Sequence, residues 1–171
     1  EVVGSALGAS FYKQMIRALL ISFILIAIVV FIAFRSFVPA IATVASIIID
    51  MMVTLAIVNL LGVKISTAGI AAFLLLIGYS VDSDMLLASR AMKQKEGALM
   101  DRILRAIVTG LTMTVAAIAA VFAGYLVTTS VVLQEIFIIL AVGLCVDVIV
   151  TYMLNAPITI IKMKQKEGVK Q

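Results

Sequence analysis

An all-α, polytopic membrane bundle of five transmembrane helices is the fold class this sequence predicts, on three observations. Of 171 residues, 64% are hydrophobic and only 13% are charged, whereas a soluble domain is about half apolar and about a quarter charged. The apolar residues gather into five runs, each long enough to cross the bilayer core, which takes about 20 residues as a helix. These runs are too long for barrel strands of about 9–11 residues, and an unclosed sheet cannot satisfy its backbone in lipid.

The elements follow in order. An external, interfacial lead-in occupies residues 1–14. The first span is expected over 15–34, uncharged from Ala18 to Phe34. Arg35, Ser36 and Phe37 form a tight turn, and Pro39 suits the first turn of the next helix. The second span, 38–61, carries Asp50 as its only ionisable residue. Leu61, Gly62, Val63 and Lys64 close a short hairpin into the third span, 66–88, which carries Asp82 and Asp84. From Arg90 to Arg105 runs the longest connector. Leu99, Met100, Ile103, Leu104 and Ile107 recur there at helical spacing with basic residues on other faces, which predicts a short cytoplasmic helix in the membrane interface. The fourth span, 106–127, has no charge. Its Thr112, Ala116, Ala120 and Gly124 recur every four residues, the spacing of a close helix-packing seam; Gly78 is assigned a packing role of the same kind. Thr128, Thr129 and Ser130 close the last hairpin. The fifth span, 135–161, carries Asp147, and residues 162–171 form a tail.

Lysine and arginine set the orientation. One side holds Arg35, then Arg90, Lys93, Lys95, Arg102 and Arg105, then Lys162, Lys164, Lys166 and Lys170; the other holds Lys13, Arg17 and Lys64. The first group is expected in the cytoplasm, with the C-terminus inside and the N-terminus outside. Such a start, outside and without a signal segment, suggests a piece of a longer protein. The net charge of +4 is dispersed between apolar runs, so the partner it implies is the lipid bilayer and not nucleic acid. A lone cysteine, Cys145, rules out an internal disulfide, and the absence of histidine removes the commonest metal ligand and general base. No metal, cofactor or enzymatic activity is expected.

The informative residues are aspartates in the wrong solvent. A carboxylate at the centre of a membrane helix costs about 2.5–3.5 kcal/mol on insertion scales, and such residues face the bundle interior. Asp50 and Asp147 lie near the middles of their spans; Thr54, Thr151, Tyr152 and Asn155 are polar residues available to them. Two residues apart on a helix is about 200°, so Asp82 and Asp84 cannot both face inward. Asp82 is expected inward, with Asp84 meeting headgroups, water or Arg90. Burial favours the neutral form of a carboxyl and a nearby cation the charged form, so an inward Asp82 beside Arg105 could relay protons. Equally, Arg105 could simply snorkel to the interface, and Asp50 and Asp147 could serve as structural hydrogen-bonding groups.

Several of these motifs resemble the SecD/SecF family of protein-export subunits. Val3-Gly4-Ser5-Ala6-Leu7-Gly8 is similar to the family's Val-Gly-Pro-x-Leu-Gly, with Ser5 in place of proline. Asp50, within Ile48-Ile49-Asp50-Met51, resembles an aspartate of the family's third membrane helix. Gly69-Ile70-Ala71-Ala72-Phe73 followed by Ile77-Gly78-Tyr79-Ser80-Val81-Asp82 resembles its fourth helix. Arg105-Ala106-Ile107, with Thr109 and Leu111-Thr112, resembles the start of its fifth. Tyr79-Ser80 favours the SecF branch, Val81-Asp82-Ser83-Asp84 is closer to the SecD pattern, and the mixture looks archaeal. Asp147 departs from bacterial SecF, which tends to have glycine there. The resemblance covers nearly the whole chain. It implies the second to sixth of six membrane helices, without the first helix and the external domain, in a fold like that of the resistance–nodulation–division transporters. It also implies an auxiliary translocase subunit that pairs with SecD, associates with the SecY channel, acts on translocating preproteins and uses the proton gradient, with Asp82 and Arg105 as the relay pair. The alternatives are a transporter of lipids or small molecules from the same superfamily and a passive scaffold. An intramembrane aspartyl protease would need a Gly-x-Gly-Asp motif, which Tyr79-Ser80-Val81-Asp82 is not.

Overall fold

A computed structural model describes residues 2–34, 37–63, 65–93, 99–158 and 160–161. Outside the short turns at 61–63, 65–66 and 128–130 the described chain is helical, and five helices are long and apolar enough to cross a membrane. They are α1 (Val2–Phe34), α2 (Phe37–Leu60), α3 (Thr67–Lys93), α4 (Leu99–Val127) and α5 (Val131–Val150). A single π-helical turn, Thr151–Asn155, continues α5, and helical backbone resumes at Ala156.

Two expected elements merge with their neighbours. The lead-in is helical from Val2 and continuous with α1. The amphipathic segment expected as a separate interfacial helix is, from Leu99 onward, the first turns of α4. Ile103 faces the protein while Met100 and Leu104 face out, so the apolar periodicity that suggested an interfacial helix belongs to the span itself. The turn at Arg35 and Ser36, part of the connector (94–98), Lys64 and the tail (162–171) lie outside the described residues.

The α2–α3 hairpin closes where its sequence permits. Gly62 takes φ +70, a left-handed conformation that a side chain disfavours. Gly62 N–H donates to Asn59 O at 3.0 Å and Val63 N–H to Val58 O at 3.3 Å, the paired bonds of a Schellman cap that satisfies the last carbonyls of α2. Glu135 of α5 reaches this end of the molecule and accepts from Ser66 N–H at 2.6 Å.

Helix α5 sits centrally, packed on α2, α3 and α4, while α1 packs on α2 and α3. The outer surface is apolar: Leu20, Ile32, Ile41, Met52, Leu75, Val115, Phe122 and Ile149 are all exposed. Lipid is the solvent that suits them. Apolar packing inside is divided. Val58, Ala72, Phe73, Leu76, Ile139, Leu140 and Leu144 form one layer among α2, α3 and α5. Val30, Ala40, Ile47, Ile77, Val81 and Ala88 join α1 to α2 and α3. Leu87, Ala106 and Ala156 close a small third cluster near the α3–α4 end.

A buried carboxyl column

Three helices each bury a polar stripe at helical spacing. On α2 it is Thr43, Ser46, Asp50 and Thr54, all with no exposed surface. On α3 it is Ser80 and Asp84, and on α5 and its π turn it is Asp147, Thr151 and Asn155, none more than 2% exposed. Residues three or four apart share a helix face, so each stripe is contiguous and the three converge. The apolar layer around Val58, Leu76 and Leu144 lies on one side of them, one turn before Ser80 and Asp147 and one turn after Thr54. Toward the other end, Arg102 of α4 is 8% exposed, one turn before the buried Ala106.

Within the column Thr151 Oγ1 donates to Asp84 Oδ1 at 3.0 Å, bridging α5 to α3. Thr54 Oγ1 donates to Asp50 Oδ1 at 3.5 Å, the limit for such a bond. The Ser80, Ser83 and Thr151 hydroxyls surround the Asp147 carboxyl. Asp147 lies near enough to Asp50 and Asp84 for the three carboxyls to repel when ionised. Several buried atoms have no hydrogen-bond partner: Thr43 Oγ1, Ser46 Oγ, Asp50 Oδ2, Asp84 Oδ2, Asp147 Oδ1 and Asn155 Nδ2 among them. Such groups are uncommon in folded proteins, and each invites water, an ion or a proton. A cluster of at least three metal-binding side chains does not form among the described residues. The column thus gathers three carboxyl groups and several hydroxyls away from lipid.

The placement of Asp82 and Asp84 is the reverse of the expectation. Asp84 is fully buried and Asp82 is exposed. The buried face of α3 runs through Gly69, Ala72, Leu76, Ser80, Asp84 and Leu87, whereas Asp82 shares the outer face with Ala71, Leu75 and Gly78. That face borders a groove of about 520 Å³ lined by Ile26, Tyr79, Asp82, Ala117 and Val121 among others. Arg105 is exposed as well and forms no ion pair with Asp82. Arg90 turns to α4: its Nη1 donates to Thr109 Oγ1 at 3.0 Å, not to Asp84. Asp50 and Asp147, singled out from sequence, do come together with Asp84. The hydroxyls of Thr43, Ser46 and Ser80 were not singled out, although their spacing from the aspartates signals the shared face.

The small-residue seam also turns outward. Thr112, Ala116 and Ala120 are exposed, and Gly124 meets the Phe137 ring, 2.6 Å from where a Cβ would stand. Gly78 has open space around it. Close packing within the chain falls instead on Gly143, pressed by Leu76; on Gly110, under the Tyr152 hydroxyl; and on Gly69, against Glu135. Tyr79 OH donates to Thr114 Oγ1 at 3.1 Å, and Tyr152 OH donates to Ile107 O at 3.2 Å. Helix α4 is therefore held on the column by hydroxyl contacts from α3 and α5, with its alanine stripe left outside.

Comparison with known proteins gives one consistent match. Residues 1–166 fit the family described as "Protein export membrane protein SecD/SecF, C-terminal". A protein-export membrane protein SecF of Thermococcus gammatolerans is 42% identical over 156 residues, covering 91% of this chain and 50% of that protein. One from Methanolacinia petrolearia is 39% identical over 171 residues, covering 98% and 60%. One from Pyrococcus furiosus is 36% identical over 167 residues, covering 98% and 56%. The chain thus spans about half the length of the relatives it matches.

Proposed function

Because this chain belongs to the SecD/SecF family of protein-export membrane proteins, we propose that it is the membrane part of an auxiliary translocase subunit that uses the proton gradient to assist export. The observation that carries the proton reading is the meeting of Asp50, Asp84 and Asp147, from three helices, in one column sealed from lipid. Intramembrane carboxyls facing each other and hydroxyls, with acceptor atoms unpartnered, suit the stepwise loading and release of protons. Mutual repulsion means that adding charge to one carboxyl disfavours it on the next, so protonation of the three is linked.

In this reading the inner carboxyls hold the protons. Asp82 and Arg105, on outer faces, take part in the relay by meeting a partner subunit, SecD, whose helices would cover the groove beside Asp82. The SecY channel and translocating preproteins complete the assembly, with the Arg90–Arg105 end in the cytoplasm. What supports the partners is the family membership; what supports the orientation is the distribution of lysine and arginine.

The test uses the full-length protein in its native complex. Asp84→Asn and Asp147→Asn are each expected to slow export of a secreted reporter about tenfold, the equivalent of ~1.4 kcal/mol in barrier. They are also expected to abolish the added slowing caused by a protonophore. Export that stays fast and protonophore-sensitive in both variants rejects the reading.

A further inference from the structure

The π-helical turn at Thr151–Asn155 sits between Asp147 and Pro157 and carries two of the column's side chains. Its bonding is explicit: Ala156 N–H reaches back five residues to Thr151 O. Pro157 has no N–H and its ring crowds the preceding turn, so an ordinary helical ladder is already interrupted one residue on. The turn has a consequence for which way Asn155 faces. In a regular α-helix the eight residues from Asp147 to Asn155 overshoot two turns by about 80°. A π turn, with about 4.4 residues per turn, reduces this drift to roughly 10–20°. Asn155 therefore stays on the face of Asp147 and Thr151, next to Asp84.

Asn155 lies within hydrogen-bonding influence of the Asp84 carboxyl, yet a well-formed bond between them is not closed. Asn155 Nδ2 is a buried donor without a partner, and Asp84 Oδ2 is a buried acceptor without one. Asn155 and Asp84 are 1% and 0% exposed, so water outside the bundle does not reach them. The turn is pinned on its other sides. Thr151 Oγ1 holds Asp84 Oδ1, and Tyr152 OH holds Ile107 O of α4. Because Asn155 is next to Asp84, a shift of the turn could close this donor–acceptor pair, and return of the turn to α geometry would swing Asn155 about 80° off the face.

We propose that this π turn is a switch that makes and breaks a hydrogen bond from Asn155 Nδ2 to Asp84 Oδ2, tying the state of Asp84 to the register of the α5 segment before Pro157. The inference rests on the proton reading given above, in which Asp84 is loaded and released. Asn155 is a positioning residue: it acts through Asp84.

Three variants of the full-length protein in its native complex test the switch: Asn155→Leu, deletion of Met153, and both together. Met153 is 76% exposed, and removing one residue turns the π turn into an α turn while leaving Asn155 seven residues from Asp147, still on the polar face. The deletion thus keeps the donor in place and removes the alternative register. Each single variant is expected to lower export about tenfold at unchanged membrane level and complex recovery. The combined variant is expected to be no worse than either, because both disable one device. Normal export in either single variant overturns the proposal, and so do effects that multiply.

Infrared spectra keep the test open if a variant fails to accumulate. In the unaltered complex the Asp84 carboxyl absorption, identified by its loss in Asp84→Asn, is expected as two bands that differ in hydrogen bonding at Oδ2, with Oδ1 bonded to Thr151 in both. A single band overturns the proposal. Should Asp84→Asn export normally, the proton reading fails; should Asp84→Asn be slow while Asn155→Leu is normal, the switch alone fails.

Discussion

Thr151 Oγ1 donates to Asp84 Oδ1 at 3.0 Å. Thr151→Val keeps the shape and removes the donor, leaving Asp84 Oδ1 without it in the interior. The cost of orphaning a buried acceptor is about 1–3 kcal/mol, to be read as an earlier thermal unfolding midpoint of the purified complex. At this scale the sequence was partly legible. Asp50 and Asp147 were identifiable because a carboxyl in the middle of an apolar run has few places to go. The phase of α3 was not, since Asp82 and Asp84 both lie in apolar surroundings and a residue-by-residue count of depth says nothing about azimuth. The polar spacing did carry that information: Ser80 and Asp84 are four apart, as are Asp147 and Thr151, whereas four residues before Asp82 stands Gly78. Asp82→Asn and Asp84→Asn should consequently differ. The Asp84 change acts in the isolated chain's own column, whereas the Asp82 change is expected to weaken recovery of the partner subunit in a co-purification.

Helices can meet closely where a missing Cβ permits it, and the glycines divide accordingly. Gly143 faces Leu76 with no room for a methyl group, whereas Gly78 opens onto space. Gly143→Ala is expected to destabilise the bundle by roughly 1–3 kcal/mol through overpacking, and Gly78→Ala to change stability by less than about 0.5 kcal/mol. Thermal unfolding in detergent measures both; equal effects would contradict the packing described. The spans themselves were readable from hydropathy, because length and polarity are linear properties of the chain. Which stripe of α4 packs inward was not readable. Thr112, Ala116, Ala120 and Gly124 have the spacing of a seam, but the residues that bind α4 to its neighbours are Ala106, Gly110 and Thr114, which share their own four-residue spacing. Periodicity specifies a close-packing face without saying which partner fills it. The π turn was equally invisible, since a proline is tolerated in ordinary membrane helices and does not by itself mark one.

The whole molecule is organised as an apolar shell around a polar column, with lipid-facing residues outside and hydroxyl and carboxyl groups within. Its orientation in the membrane is open to direct measurement. A cysteine at Leu61, in the α2–α3 hairpin, is expected to react with a membrane-impermeant maleimide added outside intact cells. One at Met100 is expected to react only after the membrane is breached; the reverse pattern inverts the topology. Single-cysteine chains for this assay should first replace Cys145, which is a free thiol on the outer surface. The layer of Val58, Phe73, Leu76, Ile139, Leu140 and Leu144 beside the column also bears on voltage. Weakly polarisable material sustains a steeper field than a hydroxyl-lined passage, so a transmembrane potential would fall more steeply across this layer than along the polar stripes. A unit charge crossing the whole membrane exchanges about 2.3 kcal/mol per 100 mV. On the proposed proton reading, most of that work would be done in the short step through the aliphatic layer, and transfers among Asp50, Asp84 and Asp147 would proceed at nearly constant electrical potential.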